Sequence, residues 1–357
     1  MAGGASVGVK AAARRGDSRP LRALVLAAGY GTRLRPLTDE LPKPLLPVLG
    51  RPLLLRILDA LAGAGCEAVA INLHHLADMI PAVVGESHRG MRIVYSREEP
   101  ILGTGGAFVP LREFFAGCET ALLVNGDTVS GWPLRELLSR HRRRGAQATL
   151  LLAGRPNPHP YGGGIGIDRG GRVRAIRREP TFGPVARRFV YAGAYALDPA
   201  LLARLPEGFS DSMRHLFEPL LAAGGRVDSL VTWKPWYDLG TPRRYLDAML
   251  DLLARTGFDV WWTGRRTQVF DEVSLAGVVG ERGALVESGA QVEDSLLLPD
   301  AVVGVHCRLS RVIVGSGVTL PAESAWSDAV LTRAGASGEP PPGARREGEL
   351  LVTPLGG

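Results

Sequence analysis

The stretch that most constrains the chain is Leu24-Val-Leu-Ala-Ala-Gly-Tyr-Gly-Thr-Arg-Leu-Arg-Pro-Leu-Thr38, followed shortly by Pro42-Lys43-Pro44. It opens as an apolar run of the kind a buried parallel strand requires, Ala23 to Ala28, and then breaks into Gly29, Gly31 and Thr32. Two glycines separated by one residue let the backbone turn tightly and approach a ligand without Cβ obstruction. Their amide N–H groups are then free to meet phosphate oxygens. Arg33, Arg35 and Lys43 add positive charge beside those amides. The stretch therefore describes a strand edge that receives a polyanion, most simply a nucleotide.

From Leu21 onward, apolar strands alternate with amphipathic helices, the pattern of a doubly wound α/β sheet. Strands are predicted at Leu24–Ala28, Ala68–Leu73, Met91–Ser96, Ala121–Val124 and Ala148–Ala153, and helices at Pro52–Gly63, Leu76–Val84, Ala107–Phe115 and Pro133–His141. After Pro156 the rhythm changes to a hairpin around Arg169-Gly-Gly171, a strand at Phe189–Leu197, helices at Pro199–Leu205 and Met213–Ala223, and a strand at Arg226–Trp233. A helix at Thr241–Thr256 follows, with Tyr245, Met249, Leu250 and Leu253 on one face. Beyond about residue 264, Val286, Val292 and Leu298 recur every six residues, then Val303 and Leu309 after a slip of one. That period fits a hexapeptide-type β-helix over 264–333, with an ordinary antiparallel extension as the alternative. Residues 1–20 and 334–357 read as disordered, leaving 21–257 as the main domain.

The 357 residues carry a net charge of +6 with 45% hydrophobic and 22% charged residues, values ordinary for a globular enzyme. The arginine run Arg142-Arg143-Arg144 suits a solvated helix C-terminus, and without aromatic interleaving it does not argue for nucleic acid. No run is long enough to span a membrane and the N-terminus lacks the apolar stretch of a signal peptide, so a cytoplasmic location is expected. Cys66, Cys118 and Cys307 have neither paired nor metal-ligand spacing and read as reduced thiols.

Asn125-Gly126-Asp127 follows an apolar strand, which puts Asp127 at the carboxyl edge of the sheet, where ligands gather in open α/β folds. An aspartate there serves an Asx turn, a helix cap or a metal. Asp238, in Trp236-Tyr-Asp-Leu-Gly-Thr-Pro242, occupies a similar position and could converge with it. Two carboxylates completed by phosphate oxygens and water are what Mg²⁺ takes in nucleotide sites.

With Gly103-Thr-Gly-Gly106 and Ala192-Gly193 added in order, these motifs resemble the sugar-1-phosphate nucleotidyltransferases, or NDP-sugar pyrophosphorylases, over residues 22 to about 255. The chain is most similar to mannose-1-phosphate guanylyltransferase-like and N-acetylmuramate-1-phosphate uridylyltransferase members. The resemblance implies a Rossmann-like, GT-A-like mixed sheet with a short left-handed β-helix-like extension. It also implies a reaction in which an NTP and a sugar 1-phosphate give an NDP-sugar and pyrophosphate. By the same resemblance, Asp127 and Asp238 hold Mg²⁺, Arg33 steadies the β- and γ-phosphates, and Lys43 contacts the α-phosphate region. Ala27, Ala28, Gly29, Gly31, Thr32, Gly103, Thr104 and Gly105 line the nucleotide, while Gly162 and Gly193 approach the sugar. The family commonly carries Glu-Lys-Pro where this chain has Arg178-Glu179-Pro180, so Glu179 stands at the place of a lysine that meets the sugar phosphate and Arg177 or Arg178 is left to supply the cation. A homo-oligomer through the C-terminal extension is a further implication. Two alternatives stay open: a catalytically silent sugar-nucleotide-binding relative, and an enzyme acting on a different phosphorylated substrate, such as a cytidylyltransferase with Trp233 and Trp236 around a cationic alcohol.

Overall fold

The computed structural model describes residues 20–263, 268–269, 272–335 and 340–356. The expected N-terminal extension lies, but for Pro20, outside the described residues. At the centre is a ten-stranded mixed sheet. Leu21–Leu26 lies between two parallel neighbours, Thr120–Asn125 and Ala68–Leu73, and Met91–Arg97 continues the parallel run. On the other side, Arg187–Leu197 pairs antiparallel with both Thr120–Asn125 and Ala148–Ala153. The central strands are mostly apolar because both faces are covered, and Ala68–Leu73 and Ala148–Ala153 are buried at every position.

Helix Leu53–Ala64 buries Leu54, Ile57, Leu58 and Leu61 on one face, as its spacing predicts. One expected helix is broken into short turns and a second holds but changes its winding, and each carries a proline. Around Pro110 the chain forms short turns at Gly103–Gly106, Val109–Leu111 and Arg112–Phe115. Near Pro219 a π-turn at Met213–Phe217 precedes a short α-helix at Glu218–Ala222. A proline has no N–H to give to the preceding turn and its ring crowds the carbonyl four residues back.

The C-terminal region is a parallel β-helix-like stack. Ser274 pairs with Gln291, Gln291 with Arg308 and Arg308 with Ala325, so one coil takes 17 residues, one short of three hexapeptides. That missing residue is the slip seen between Leu298 and Val303. Val278, Val292, Leu309 and Val312 fill the interior of the stack. Val279, Leu296, Ile313 and Val330, spaced by one coil each, face outward into the core shared with the nucleotide-binding sheet. There they meet helix Pro242–Thr256, whose Leu246, Met249 and Leu253 belong to the same cluster.

The tail differs from its expected disorder. Arg345–Glu347 and Leu350–Pro354 form an antiparallel hairpin whose second strand pairs with Ala325–Arg333. Leu350, Val352 and Leu355 are buried there, which is apolar cover enough to order a segment whose Pro and Gly content alone suggests a loose end.

Candidate active site

The carboxyl ends of the central strands open into a cavity of about 370 Å³. Ala27, Ala28, Gly29, Gly31, Thr32 and Arg33 line it from the first strand's loop, Lys43 and Pro44 from the next, Gly103 and Thr104 from a third, and Asn125 and Asp127 from the strand alongside. Gly31 sits at φ +67, and a Cβ there would come within 2.8 Å of Thr38 Cγ2, so only glycine fits the turn. Thr38 closes the loop by donating its hydroxyl to the Gly31 carbonyl at 2.8 Å. Gly29 has open space where a side chain would stand, which leaves its backbone facing the cavity.

A buried polar relay sets the loop's position. Ala27 N–H donates to Asn72 Oδ1 at 2.6 Å, Asn72 Nδ2 donates to Glu98 Oε1 at 2.8 Å, and Glu98 Oε2 accepts from Leu102 N–H at 2.8 Å. Asn72 and Glu98 are each 3% exposed, so every one of these bonds answers a group that water does not reach. The relay ties the first glycine loop to the second. Neither residue stood out in the sequence, although a polar residue near the end of an apolar strand, as in Ala68-Val-Ala-Ile-Asn72, is a usable signal.

The second glycine run divides its work. Gly103 and Thr104 line the cavity, whereas Gly105 does not. Gly105 and Gly106 give their amides to the Ser210 carbonyl, at 2.8 and 3.2 Å. A Cβ on Gly105 would lie 2.8 Å from Ser210 Oγ, and one on Gly106 would lie 2.4 Å from the Gly208 carbonyl. These two glycines are small so that loop 208–212 can pack on them, and their N–H groups are already engaged.

Asp127 belongs to two cavities. The second, of about 590 Å³, is lined by Asn125, Asp127, Thr128, Tyr161, Gly162, Ile176, Arg177, Tyr191, Asp211, Trp236 and Asp238 among others. Strand Trp236–Asp238 pairs antiparallel with Thr128–Ser130, setting Asp238 opposite Thr128 and so next to Asp127. Lys43, 9% exposed, donates to Asp127 Oδ2 at 2.8 Å, and Arg244 donates to Asp238 Oδ2 at 2.6 Å. A Cβ on Gly240 would sit 3.0 Å from Asp238 Oδ1 and 3.3 Å from Arg33 Nη2, so the aspartate and the arginine flank the same small residue. Among the described residues Arg33 makes no ion pair, which leaves its guanidinium available to an anion. No group of three or more His, Cys, Asp or Glu converges among the described residues. Asp127, which lines both cavities, and Asp238, which lines the second, offer hard carboxylate oxygens suited to a divalent ion whose remaining ligands come from phosphate.

On the second cavity's wall, Trp236 meets Tyr161 edge-on at 5.4 Å, and Arg244 lies over the Tyr161 ring at 5.5 Å. Gly162, at φ +70, is part of this wall. Gly193 is behind it. At φ +82 it forms a bulge, and a Cβ there would press on Asn125 Cβ at 3.3 Å and Thr128 Oγ1 at 3.1 Å. Among the described residues the cation lining this cavity is Arg177. Arg178 and Glu179 are not among the lining residues, and the Arg178 carbonyl accepts from Arg188 at 2.9 Å. Trp233 lies apart from Trp236, 58% exposed and edge-on to Phe189, so the two tryptophans do not form a cage. His74 and His75 brace the first loop from behind, through Tyr30 Oη at 2.9 Å and the Thr38 carbonyl at 2.9 Å. The arginines of 142–144 are partly engaged, Arg142 with Glu119 at 2.9 Å and Arg144 with Asp228 at 3.6 Å.

Comparison with known proteins decides the family. The pattern of the family described as "Nucleotidyl transferase" matches residues 22–255, and that described as "GlmU-like, C-terminal hexapeptide" matches 272–326. This chain belongs to the nucleotidyl transferase family. It is 32% identical over 301 residues to a mannose-1-phosphate guanylyltransferase of Mycobacterium tuberculosis, covering 81% of this chain and 83% of the relative. A probable mannose-1-phosphate guanylyltransferase 3 of Oryza sativa is 28% identical over 87% of this chain and 86% of its own length. Among solved structures, HddC from Yersinia pseudotuberculosis matches with a TM-score of 0.54 and 22% identity, over 65% of this chain and 99% of that one, which speaks to the fold. The nucleotidyl transferase domain thus carries both cavities, and the hexapeptide region packs against its helix Pro242–Thr256. As an enzyme of this family, it transfers a nucleotidyl group from an NTP to a sugar 1-phosphate, giving an NDP-sugar. No helix among the described residues is long and apolar enough to cross a membrane.

Proposed function

We propose that the protein transfers GMP from GTP to mannose 1-phosphate, giving GDP-mannose and pyrophosphate. The observation that carries this reading is that Asp127 stands at the meeting point of a glycine-lined cavity and an aromatic-lined one. The names borne by the relatives support the choice of base and sugar.

A phosphate oxygen of the sugar 1-phosphate attacks the α-phosphorus of the nucleotide. A new P–O bond forms as the bond to the β-phosphate oxygen breaks in line with it, and the bonding electrons leave with pyrophosphate. The attacking phosphate is already ionised, so no residue has to remove a proton. The protein's task is to hold two anions together and neutralise the charge that gathers between them. Arg33 binds the β- and γ-phosphates, and Lys43, paired with Asp127 at 2.8 Å, reaches the α-phosphate. Ala27 to Thr32, with Gly103 and Thr104, form the walls around the nucleotide. Asp127 and Asp238 would hold Mg²⁺, which when bound would neutralise phosphate charge. Gly162, Tyr161 and Trp236 form the sugar's wall, with Arg177 taking the part the family usually gives to lysine. The cytoplasm is the compartment that fits three buried free cysteines, and the β-helix offers surfaces for self-association.

The test is pyrophosphate release by the purified protein with Mg²⁺, using each of the common NTPs against a panel of sugar 1-phosphates. GTP with mannose 1-phosphate is expected to turn over fastest. Preference for another pair overturns the substrate assignment, and no release with any pair overturns the enzyme itself.

A further inference from the structure

The hairpin that follows Lys43 is held in place from three directions, and one of them is the β-helix. Lys43 lies in a short turn, Lys43–Leu45, that runs straight into the paired strands Pro47–Val48 and Arg51–Pro52. The connecting residues, Leu49 at φ 44 and Gly50 at φ +83, are both left-handed. For a leucine that conformation persists only where the surroundings impose it. Tyr245 Oη donates to the Pro47 carbonyl at 2.6 Å. Arg56 donates to the Val48 carbonyl through Nε and Nη2, at 3.0 and 2.6 Å, and to the Leu49 carbonyl at 3.2 Å. The third hold comes from Glu281, which directly follows the coil strand Ser274–Gly280 and accepts the Gly50 N–H at 3.0 Å.

Glu281 is 2% exposed, and its environment is costly for a carboxylate. Burial pushes its pKa up, opposed by the bond from Gly50, a bond from the Thr263 hydroxyl and the nearby Arg56 guanidinium. An acid placed in such a site by a region none of whose described residues lines either cavity needs a reason to be there. Among the described residues, the loop of the nucleotidyl transferase domain that it bonds is the turn after Lys43.

We propose that Glu281 is a positioning residue for Lys43: the β-helix fixes the turn at Gly50 and through it sets where the lysine's ammonium group stands. This rests on the reading of Lys43 as the α-phosphate cation. The C-terminal region is then part of the catalytic apparatus by mechanical connection, in addition to any role in assembly. Removing the acceptor frees the turn to relax from its left-handed geometry, and a shift near 1 Å at a reacting centre costs up to about 100-fold in rate.

The test compares Glu281→Ala, Glu281→Gln and Lys43→Met, singly and combined, in the full-length protein with GTP, mannose 1-phosphate and Mg²⁺. Glu281→Ala is expected to lower kcat by roughly 10- to 100-fold with KM for both substrates little changed. Glu281→Gln, whose amide oxygen can still accept from Gly50, is expected to recover most of the loss. In the Lys43→Met background, Glu281→Ala is expected to add nothing, because the group it positions is gone. An equal fractional loss in both backgrounds overturns the proposal and marks Glu281 as structural. So does unchanged kcat in Glu281→Ala while Lys43→Met is crippled. If Lys43→Met itself keeps wild-type activity, the reading of Lys43 fails first, and that result is distinct from the other two. Should the alanine variant not fold, hydrogen exchange at the Gly50 amide in Glu281→Gln and wild type decides: protection in wild type shows the hold, and free exchange in both overturns it.

Discussion

Replacing Lys43 with methionine separates catalysis from stability. Methionine keeps an unbranched stem of similar length, so the pocket that leaves Lys43 9% exposed stays filled. What is lost is the ammonium group and its bond to Asp127 Oδ2 at 2.8 Å. The aspartate side chain is 39% exposed, so water takes over the carboxylate once the lysine has gone. A pair so placed contributes about 0–1 kcal/mol to folding, which for a domain of this size shifts the melting temperature by roughly 2–4 °C at most. The rate effect is far larger. A single preorganised positive group facing the charge that develops in a transition state is worth about 10²–10³ in kcat. The assay follows pyrophosphate release at saturating GTP and mannose 1-phosphate, with thermal unfolding measured on the same preparation. The expected result is a kcat lower by two to three orders of magnitude in a protein that melts within a few degrees of wild type. A kcat within about tenfold of wild type refutes the placement of Lys43 at the α-phosphate. A melting point lower by about 10 °C or more refutes the claim that the ion pair matters little to the fold.

Two neighbouring glycine runs should respond differently to alanine. Gly29→Ala meets open space and should fold normally, with its effect appearing in the KM for the nucleotide, whereas Gly106→Ala drives a Cβ to 2.4 Å from the Gly208 carbonyl and should destabilise by about 1–3 kcal/mol in denaturant titration. Similar stability for the two variants would contradict the assignment. His141 is buried beside Thr149, at 3.0 Å, and burial lowers its pKa from 6.5. Its folded form resists protonation, so its contribution to stability is present above pH 6.5 and is lost as pH falls through the lower folded-state value. Urea titrations at about pH 8 and about pH 5 should show a steeper acid loss in wild type than in His141→Gln, and equal slopes would remove the histidine as a cause.

Much of the fold was legible because its signals are local. Ala68–Leu73 and Ala148–Ala153 are apolar runs with clean ends, and both strands match their predicted bounds. The six-residue period and its slip after Leu298 were visible in the sequence, and the structure gives the slip its meaning as a 17-residue coil. What stayed hidden depends on groups far apart in the chain. Nothing near Gly105 or Gly106 reveals that Ser210 will take their amides, so a glycine run that lines a ligand and one that packs on a loop look alike in sequence. The relay from Ala27 through Asn72 and Glu98 to Leu102 spans three strand ends, each carrying one unremarkable polar or backbone group. The tail was misjudged because loop composition and order are different properties, and a few buried apolar side chains outweigh the former.

The hairpin at the end of the chain determines how the coiled region can grow. Ala325–Arg333 is parallel to the coil before it and antiparallel to Leu350–Pro354 after it. Reversing direction spends the hydrogen-bonding edge that another coil, from this chain or a second copy, would need, and the outer strand Arg345–Glu347 presents two arginines and a glutamate in its place. At this end the stack is therefore covered by antiparallel strands of the same chain. A second copy meeting the column at this end finds a charged antiparallel strand where a further parallel coil would have docked, which disfavours coil-on-coil stacking there.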